Sequence, residues 1–350
     1  MTDIHSSPRE MKRAITQRIR AALIMHGSAT KADLCQRLGI SFPTISKFLS
    51  QMESDGEIHY VGEDDSSGGR RAKRYAYDPE FMLGLAIFVE NTETNYTIFN
   101  CIGEIKEEGR MPSVLQENPH LLGNHIESLI ERFPRLRSAA VGVPGAVSNG
   151  QIIFIPPYPN FLDNDLKEAF ESRFQIPVVI ENDMNASVLG FASNNEIENE
   201  SLVYLYFGQN GPGSGIMING DVVRGSTFFA GEIALMPQYD NKTFIQALKV
   251  GGSDNEIRTS SVPTDEDQID AVARLIATFT AITNPKAVIF CNDEIDEELL
   301  AQIKERSAKY MPMKHLPVLL KSDFKEDYLS GLQHLALDLM ITGSDMSDSI

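Results

Sequence analysis

The chain has 350 residues, 42% of them hydrophobic, enough for two or three domains with ordinary buried cores. No apolar run reaches membrane-spanning length (about 18 residues), and the opening MTDIHSSPREMKR lacks the apolar core of a signal peptide, so the sequence predicts a soluble, cytoplasmic protein with no membrane partner. The net charge of −18 is unevenly shared: residues 1–79 hold 12 basic and 10 acidic side chains, the remainder 19 against 39, so nucleic-acid contact is expected only in the N-terminal segment.

Residues 9–26 carry Met11, Ile15, Ile19, Ala22, Leu23 and Met25 largely on one helical stripe, and Gly27 ends it. Thr30 is placed to cap a short second helix with Asp33 at its third position, and Gly39 stops that helix. Ser41 is placed to cap a third helix, in which Ile45, Phe48, Leu49 and Met52 turn inward. Thr44, Ser46, Lys47, Ser50 and Gln51 face outward. This is the layout of a helix-turn-helix. Residues 57–61 and 71–77 then alternate as two strands around a polar turn. Gly68-Gly69-Arg70-Arg71-Ala72-Lys73-Arg74 places four cations at the tip and returning strand of a wing. Flexible glycines followed by arginine suit a narrow, electronegative minor groove. Ser41, Thr44, Ser46, Lys47, Arg70, Arg71, Lys73 and Arg74 are the expected DNA contacts, with a double-stranded operator as partner. The plainer alternative is a solvated basic turn on a protein-interaction module.

Asp78-Pro79 is the expected linker. Beyond it the pattern becomes α/β: strands over 81–89, 94–100 and 103–110, a helix over 120–133, a strand over 138–143, a helix over 162–174 and a buried strand over 177–181. A helix opens at Asp183. An apolar strand over 202–207 leads into a glycine-containing loop (Gly208, Gly211, Gly213, Gly215), a strand over 216–218 and a hairpin turn at Asn219-Gly220-Asp221. Helices over 265–283, 297–310 and 328–340 enclose strands at 287–291 and 317–321. Cys35, Cys101 and Cys291 lie far apart, give no disulfide framework or CxxC pair, and read as buried small hydrophobes.

Several stretches together resemble the ROK family of repressors and sugar kinases: Val141 to Val147 (VGVPGAV), Pro159-Asn160, Glu181 to Ala186 (ENDMNA), Gly211 to Ile216 (GPGSGI), Asn219-Gly220 and Ala230 to Ile233 (AGEI). With the winged segment, the resemblance covers almost the whole chain. It implies an N-terminal winged helix-turn-helix (α+β) over 1–78 and a two-lobed, actin-like (ribonuclease-H-like) α/β body. The lobes are expected at 79–190, completed by the C-terminal helix 328–342, and at 191–327. The DNA-binding branch of the family is similar to the xylose and N-acetylglucosamine repressors.

The departures matter as much. Where family kinases carry GxDxGGT for ATP phosphates, residues 84–90 read GLAIFVE, so Ala86 replaces the aspartate, Phe88 and Val89 the paired glycines, and Glu90 the threonine. Bulk there blocks backbone approach to phosphate and Glu90 repels it. Cys291-Asn292-Asp293 replaces a second glycine cluster after the retained Asn284-Pro285. Phosphoryl transfer depends on such positioning, so no kinase activity is expected. Leu235 stands where the family zinc histidine would be, and 238–252 contain no cysteine, so neither a metal nor a cofactor is expected.

What persists is the sugar-site set. Asn182 and Asp183 sit where a buried strand meets a helix, a usual place for α/β ligand sites, and a carboxamide beside a carboxylate suits hydroxyls that both donate and accept. Asp183 alone could equally be a helix cap. The resemblance makes Asp183 the vestigial kinase base, Glu232 a second acceptor, and Asn160 with Gly145 the opposite wall. The glycine loop is then expected to hinge the second lobe and to place Glu232. The combined expectation is a regulator, most simply a repressor of carbohydrate genes, acting as a homodimer or dimer of dimers and released by a sugar or sugar derivative. The alternatives are a sugar kinase with an appended DNA-binding domain, and a DNA-binding dimer without a small ligand.

Overall fold

The computed structural model describes residues 8–64, 71–117, 119–155, 158–208, 211–248 and 262–342. Its N-terminal part holds α1 (Pro8–His26), β1 (Ala29–Thr30), α2 (Lys31–Leu38), α3 (Phe42–Ser54), β2 (Ile58–Glu63) and β3 (Lys73–Tyr77). Thr30 caps α2 through a complete capping box with Asp33 (3.1 Å and 2.9 Å), and left-handed Gly39 closes the helix. Ser41 stands at the N-cap of α3, but its hydroxyl meets Thr44 Oγ1 (2.8 Å) instead of the helix backbone. The three strands form one antiparallel sheet in the order β1-β3-β2.

The first body sheet contains β4 (Leu83–Val89), β5 (Glu93–Asn100), β6 (Ile105–Pro112), β7 (Leu136–Val143) and β10 (Val178–Asn182), in the order β10-β7-β4-β5-β6. Between its strands lie α4 (Pro119–Arg132), the small hairpin β8 (Ala146–Ser148) and β9 (Gln151–Phe154), and α5 (Leu166–Phe174). α6 (Asp183–Asn194) leads to the second sheet of β11 (Leu202–Tyr206), β12 (Gly213–Ile218), β13 (Asp221–Val222), β14 (Ala287–Cys291) and β15 (Val318–Ser322). That sheet has the order β13-β12-β11-β14-β15 and is accompanied by α7 (Phe244–Leu248), α8 (Glu266–Ile282) and α9 (Glu297–Ser307). The chain is completed by α10 (Phe324–Thr342).

Both sheets are covered on both faces, which explains strands that read as unbroken apolar runs. Along β4, Leu83, Leu85, Ile87 and Val89 face the outer core of the first lobe, while Ala86 and Phe88 face a central core shared with α10 and α6. β14 divides the same way: Val288 and Phe290 face outward to α8 and α9, whereas Ala287, Ile289 and Cys291 face the centre. α10 packs on β4, β7 and β10, and α6 on β11 and β12, so the two helices lie between the sheets. They cross closely because Gly190 and Gly331 carry no Cβ; an added one would strike the Asp327 or Ala186 carbonyl oxygen. The lobe boundary expected at residue 190 falls inside α6.

Two elements depart from the expectation. The helix predicted from 162 begins at Leu166, capped by Asp165 (2.8 Å to the Glu168 amide), because Pro159–Phe161 forms a short 3-10 turn and Asp163 takes a positive φ of 61°. The β8–β9 hairpin was not expected, although Asn149 and Gly150, both at positive φ, carry the same turn chemistry as Asn219 and Gly220.

Candidate functional site

Two regions gather the expected functional residues. On the N-terminal module, Ser41, Lys47, Arg71 and Lys73 are exposed, and the Lys73 ammonium lies 5.6 Å from the centre of the Tyr60 ring. Thr44 is half-buried beside Ser41, and the Ser46 hydroxyl accepts from Lys31 Nζ (2.8 Å). Arg70, with Gly68 and Gly69, lies outside the described residues. Arg74 departs from the expectation of a free cation. The register of β3 sets it opposite Thr30, and its guanidinium donates to both Asp64 oxygens (2.7 and 3.0 Å) and to the Ser28 carbonyl (3.1 Å). It ties the strands to the start of α2.

The second region is the cleft at the carboxyl ends of β4, β7 and β10. Asn182, not Asp183, caps α6: its Oδ1 accepts from the Met184 and Asn185 amides (2.9 and 3.0 Å). Its Nδ2 donates to the Gly145 carbonyl (3.1 Å) and to Asp183 Oδ1 (2.9 Å). Asn182 therefore has every polar position occupied and serves to orient Asp183, while Gly145 holds Asn182 through its carbonyl. Asp183 is 8% exposed; burial, with Glu232 and Glu90 nearby, lifts its carboxyl to about 7 against the hydrogen bonds that lower it.

Glu232 approaches from the second lobe. Gly231, at φ +99°, accepts from the Ser214 amide (3.0 Å), leaving no room for a side chain of its own and fixing the turn that carries Glu232. Burial raises the Glu232 carboxyl to about 7. The neighbouring glycines of the loop serve packing, since a Cβ at Gly215 would fall on the Met184 carbonyl; without one, β12 can lie flat on α6. Asn160 is exposed on its 3-10 turn and donates to the Glu117 carbonyl (3.1 Å); it shares no hydrogen bond with Asp183 or Glu232.

Other cleft residues carried little or no signal in the sequence. Arg224 reaches across to buried Glu181 (2.5 Å), which also accepts from Asn185 Nδ2 (3.0 Å), and the rings of Phe154 and Phe229 meet edge to face at 5.0 Å. Both contacts join the two lobes, and partners 43 or 75 residues apart leave no local pattern. At the positions compared above with the kinase phosphate motif, Ala86 and Phe88 point to α10, and the Phe88 ring lies 5.3 Å from that of Tyr328. Phe324 stacks on Tyr206 (4.2 Å, 14°). Cys291 is buried, and Glu294 accepts from the Phe207 amide (2.9 Å). Leu235 is 48% exposed. Among the described residues no three His, Cys, Asp or Glu side chains come together closely enough to hold a metal ion.

This architecture has known counterparts. A regulator described as a ROK family transcriptional regulator, homologue of the Escherichia coli MLC protein, superposes with a TM-score of 0.68 at 16% identity, over 95% of this chain and 97% of that one. The Bacillus spizizenii xylose repressor is 25% identical over 224 residues, 61% of this chain; the match spans 58% of the repressor's length. The Escherichia coli K12 DNA-binding transcriptional dual regulator NagC is 24% identical over 221 residues, 59% of this chain and 53% of its own. Residues 85–244, which include both Asp183 and Glu232, match the ROK family model.

Proposed function

We propose that the protein is a sequence-specific, sugar-responsive transcriptional regulator, most simply a repressor of carbohydrate-utilisation genes, whose body binds a sugar without phosphorylating it. The N-terminal 78 residues act as a winged helix-turn-helix, with α3 in the major groove and the cations Arg70, Arg71 and Lys73 at the minor groove. Ser41, Thr44, Ser46, Lys47, Arg70, Arg71 and Lys73 are the contacting side chains, and Arg74 braces the wing. A homodimer sets the spacing of two such modules.

The observation that carries the non-enzymatic reading is the face of β4. Kinase chemistry needs backbone and a carboxylate open to phosphate and metal at Ala86, Phe88 and Glu90. Here Phe88 is packed on Tyr328 and Glu90 presents negative charge. Asp183 is then an acceptor for an effector hydroxyl. Effector binding draws the lobes together, and α10 connects this event to the DNA module: Phe324, Lys325 and Tyr328 stand at the cleft, while the same helix packs on α1.

The test is a mobility-shift assay with the promoter DNA adjoining the protein's own gene, alone and with a panel of sugars and sugar phosphates, alongside an ATP-turnover assay on the same panel. Specific binding released by one sugar, with no ATP turnover, is the expected result. Sugar-dependent ATP hydrolysis would restore the kinase reading. DNA binding indifferent to every sugar, with no binding heat, would leave a DNA-binding dimer without a ligand.

A further inference from the structure

The floor of the cleft combines carboxylates with aromatic side chains. Asp183 and Glu90 lie within electrostatic reach of the Tyr206 and Tyr328 hydroxyls. Tyr206 is stacked on Phe324, and Phe88 packs on Tyr328. Tyr328 is 1% exposed, and its hydroxyl has no hydrogen-bond partner. That hydroxyl lies against Gly142, the residue in register with both Phe88 and Glu181, and so sits beneath the strand ends that bear Glu90 and Asp183. An unsatisfied buried hydroxyl beneath the strand ends that carry these carboxylates marks a place for a polar ligand atom.

The charge of that ligand follows from its surroundings. Arg224 is already committed to Glu181 (2.5 Å). The cation that reaches Glu90 is Lys325, at 3.7 Å and 55% exposed. Glu232 adds a further carboxylate from the opposite lobe, within electrostatic reach of Asp183. A phosphate or carboxylate entering here would meet like charge in a poorly hydrated site. A bare metal ion is excluded by the spacing of the carboxylates, since no three converge among the described residues. An organic ammonium fits both features, with carboxylates for its charge and aromatic faces for its quadrupole attraction.

We infer that the cleft floor is an ammonium subsite formed by Glu90, Asp183 and the Tyr206–Tyr328 aromatic group, and that the effector is a sugar carrying a free amine. The inference rests on the sugar-effector reading above and narrows it to a chemical class. The ammonium takes the place that phosphate occupies in a kinase, and Lys325 acts as a weak internal competitor that it displaces.

The test is isothermal titration of the full chain at pH 7 with glucosamine, galactosamine and mannosamine, each against its neutral parent sugar, its N-acetyl form and its 6-phosphate. At least one free amine is expected to bind about tenfold more tightly than all of its counterparts. Glu90→Gln, nearly isosteric and checked by an unchanged melting temperature, is expected to remove that preference. Lys325→Ala, at an exposed position, is expected to tighten amine binding by about threefold. Tighter binding of a neutral, acetylated or phosphorylated sugar overturns the ammonium subsite and leaves the effector reading standing. Amine binding unaltered in both variants also overturns it. No heat with any sugar overturns both.

Discussion

Asp183 illustrates how little of a site's chemistry is decided by residue type alone. An Asn-Asp pair at a strand end reads equally well as a cap or as a ligand site, because either side chain can take an amide hydrogen bond. The geometry separates the two roles, since Asn182 caps the helix and Asp183 takes its hydrogen bonds, from Asn182 and the Met184 amide, on one oxygen, with Glu232 and Glu90 in its electrostatic surroundings. Its carboxyl, normally near 3.8, sits at about 7. Between those values the folded protein keeps a proton that the unfolded chain releases, so this residue's contribution to stability falls as pH rises through about 4 to 7. Asp183→Asn preserves both hydrogen bonds to Oδ1 and removes the buried charge. The variant is expected to match the wild type near pH 4 and to exceed it at pH 8 by on the order of a few kcal/mol, read as melting temperature across that range. Parallel pH profiles for the two proteins would remove the buried-carboxylate account. Sugar binding should be lost in the same variant. On the N-terminal surface, Lys47→Ala is expected to weaken operator binding on all sequences alike and to reduce the salt slope of affinity by about 1, whereas an unchanged slope would place Lys47 off the DNA backbone.

Elements were easier to read where burial imposes a pattern on the chain. β4, β7, β10, β11 and β14 are near-continuous apolar runs because each is covered on both faces, and the α2 capping box stands in the sequence as Thr30 to Asp33. The β8–β9 hairpin and the 3-10 turn before α5 depend on one or two positive-φ residues and carry no periodicity. The glycines of the 208–215 loop read as a hinge for the second lobe, yet Gly215 serves contact between β12 and α6, a role invisible without the partner helix. The same logic governs the crossing of α6 and α10. Gly331→Ala places a methyl on the Ala186 carbonyl, where neither helix has a flexible side chain to move aside. A loss of about 1–3 kcal/mol is expected in urea denaturation, and stability within error of wild type would show that the helices can separate freely.

Across the whole molecule, function depends on contacts between parts distant in sequence. The net charge of −20 beyond residue 79, against +2 before it, is what confines the expected DNA contact to the N-terminal segment. How cleft and DNA module communicate was not legible, because the shared core from Ile19 and Leu23 to Leu339 and Met340 joins opposite ends of the chain. The lobes meet at the cleft mouth through Arg224–Glu181 and Phe154–Phe229. If lobe closure is what the effector stabilises, these contacts belong to the effector-bound side of the equilibrium. Phe229 is 37% exposed and touches neither Asp183's hydrogen-bond network nor the DNA module, so Phe229→Ala should fold normally and shift only that balance. An aromatic pair of this geometry contributes about 0.5–1.5 kcal/mol, so the sugar concentration for half-release of operator is expected to rise about twofold to tenfold. Operator affinity without sugar should hold steady or tighten slightly, since weakening the closed state favours the open one, which binds operator in the proposed mechanism. A mobility-shift titration reads both quantities. An unchanged half-release concentration in a folded variant would mean that closure at this contact is not the switch, and would move the search to α10.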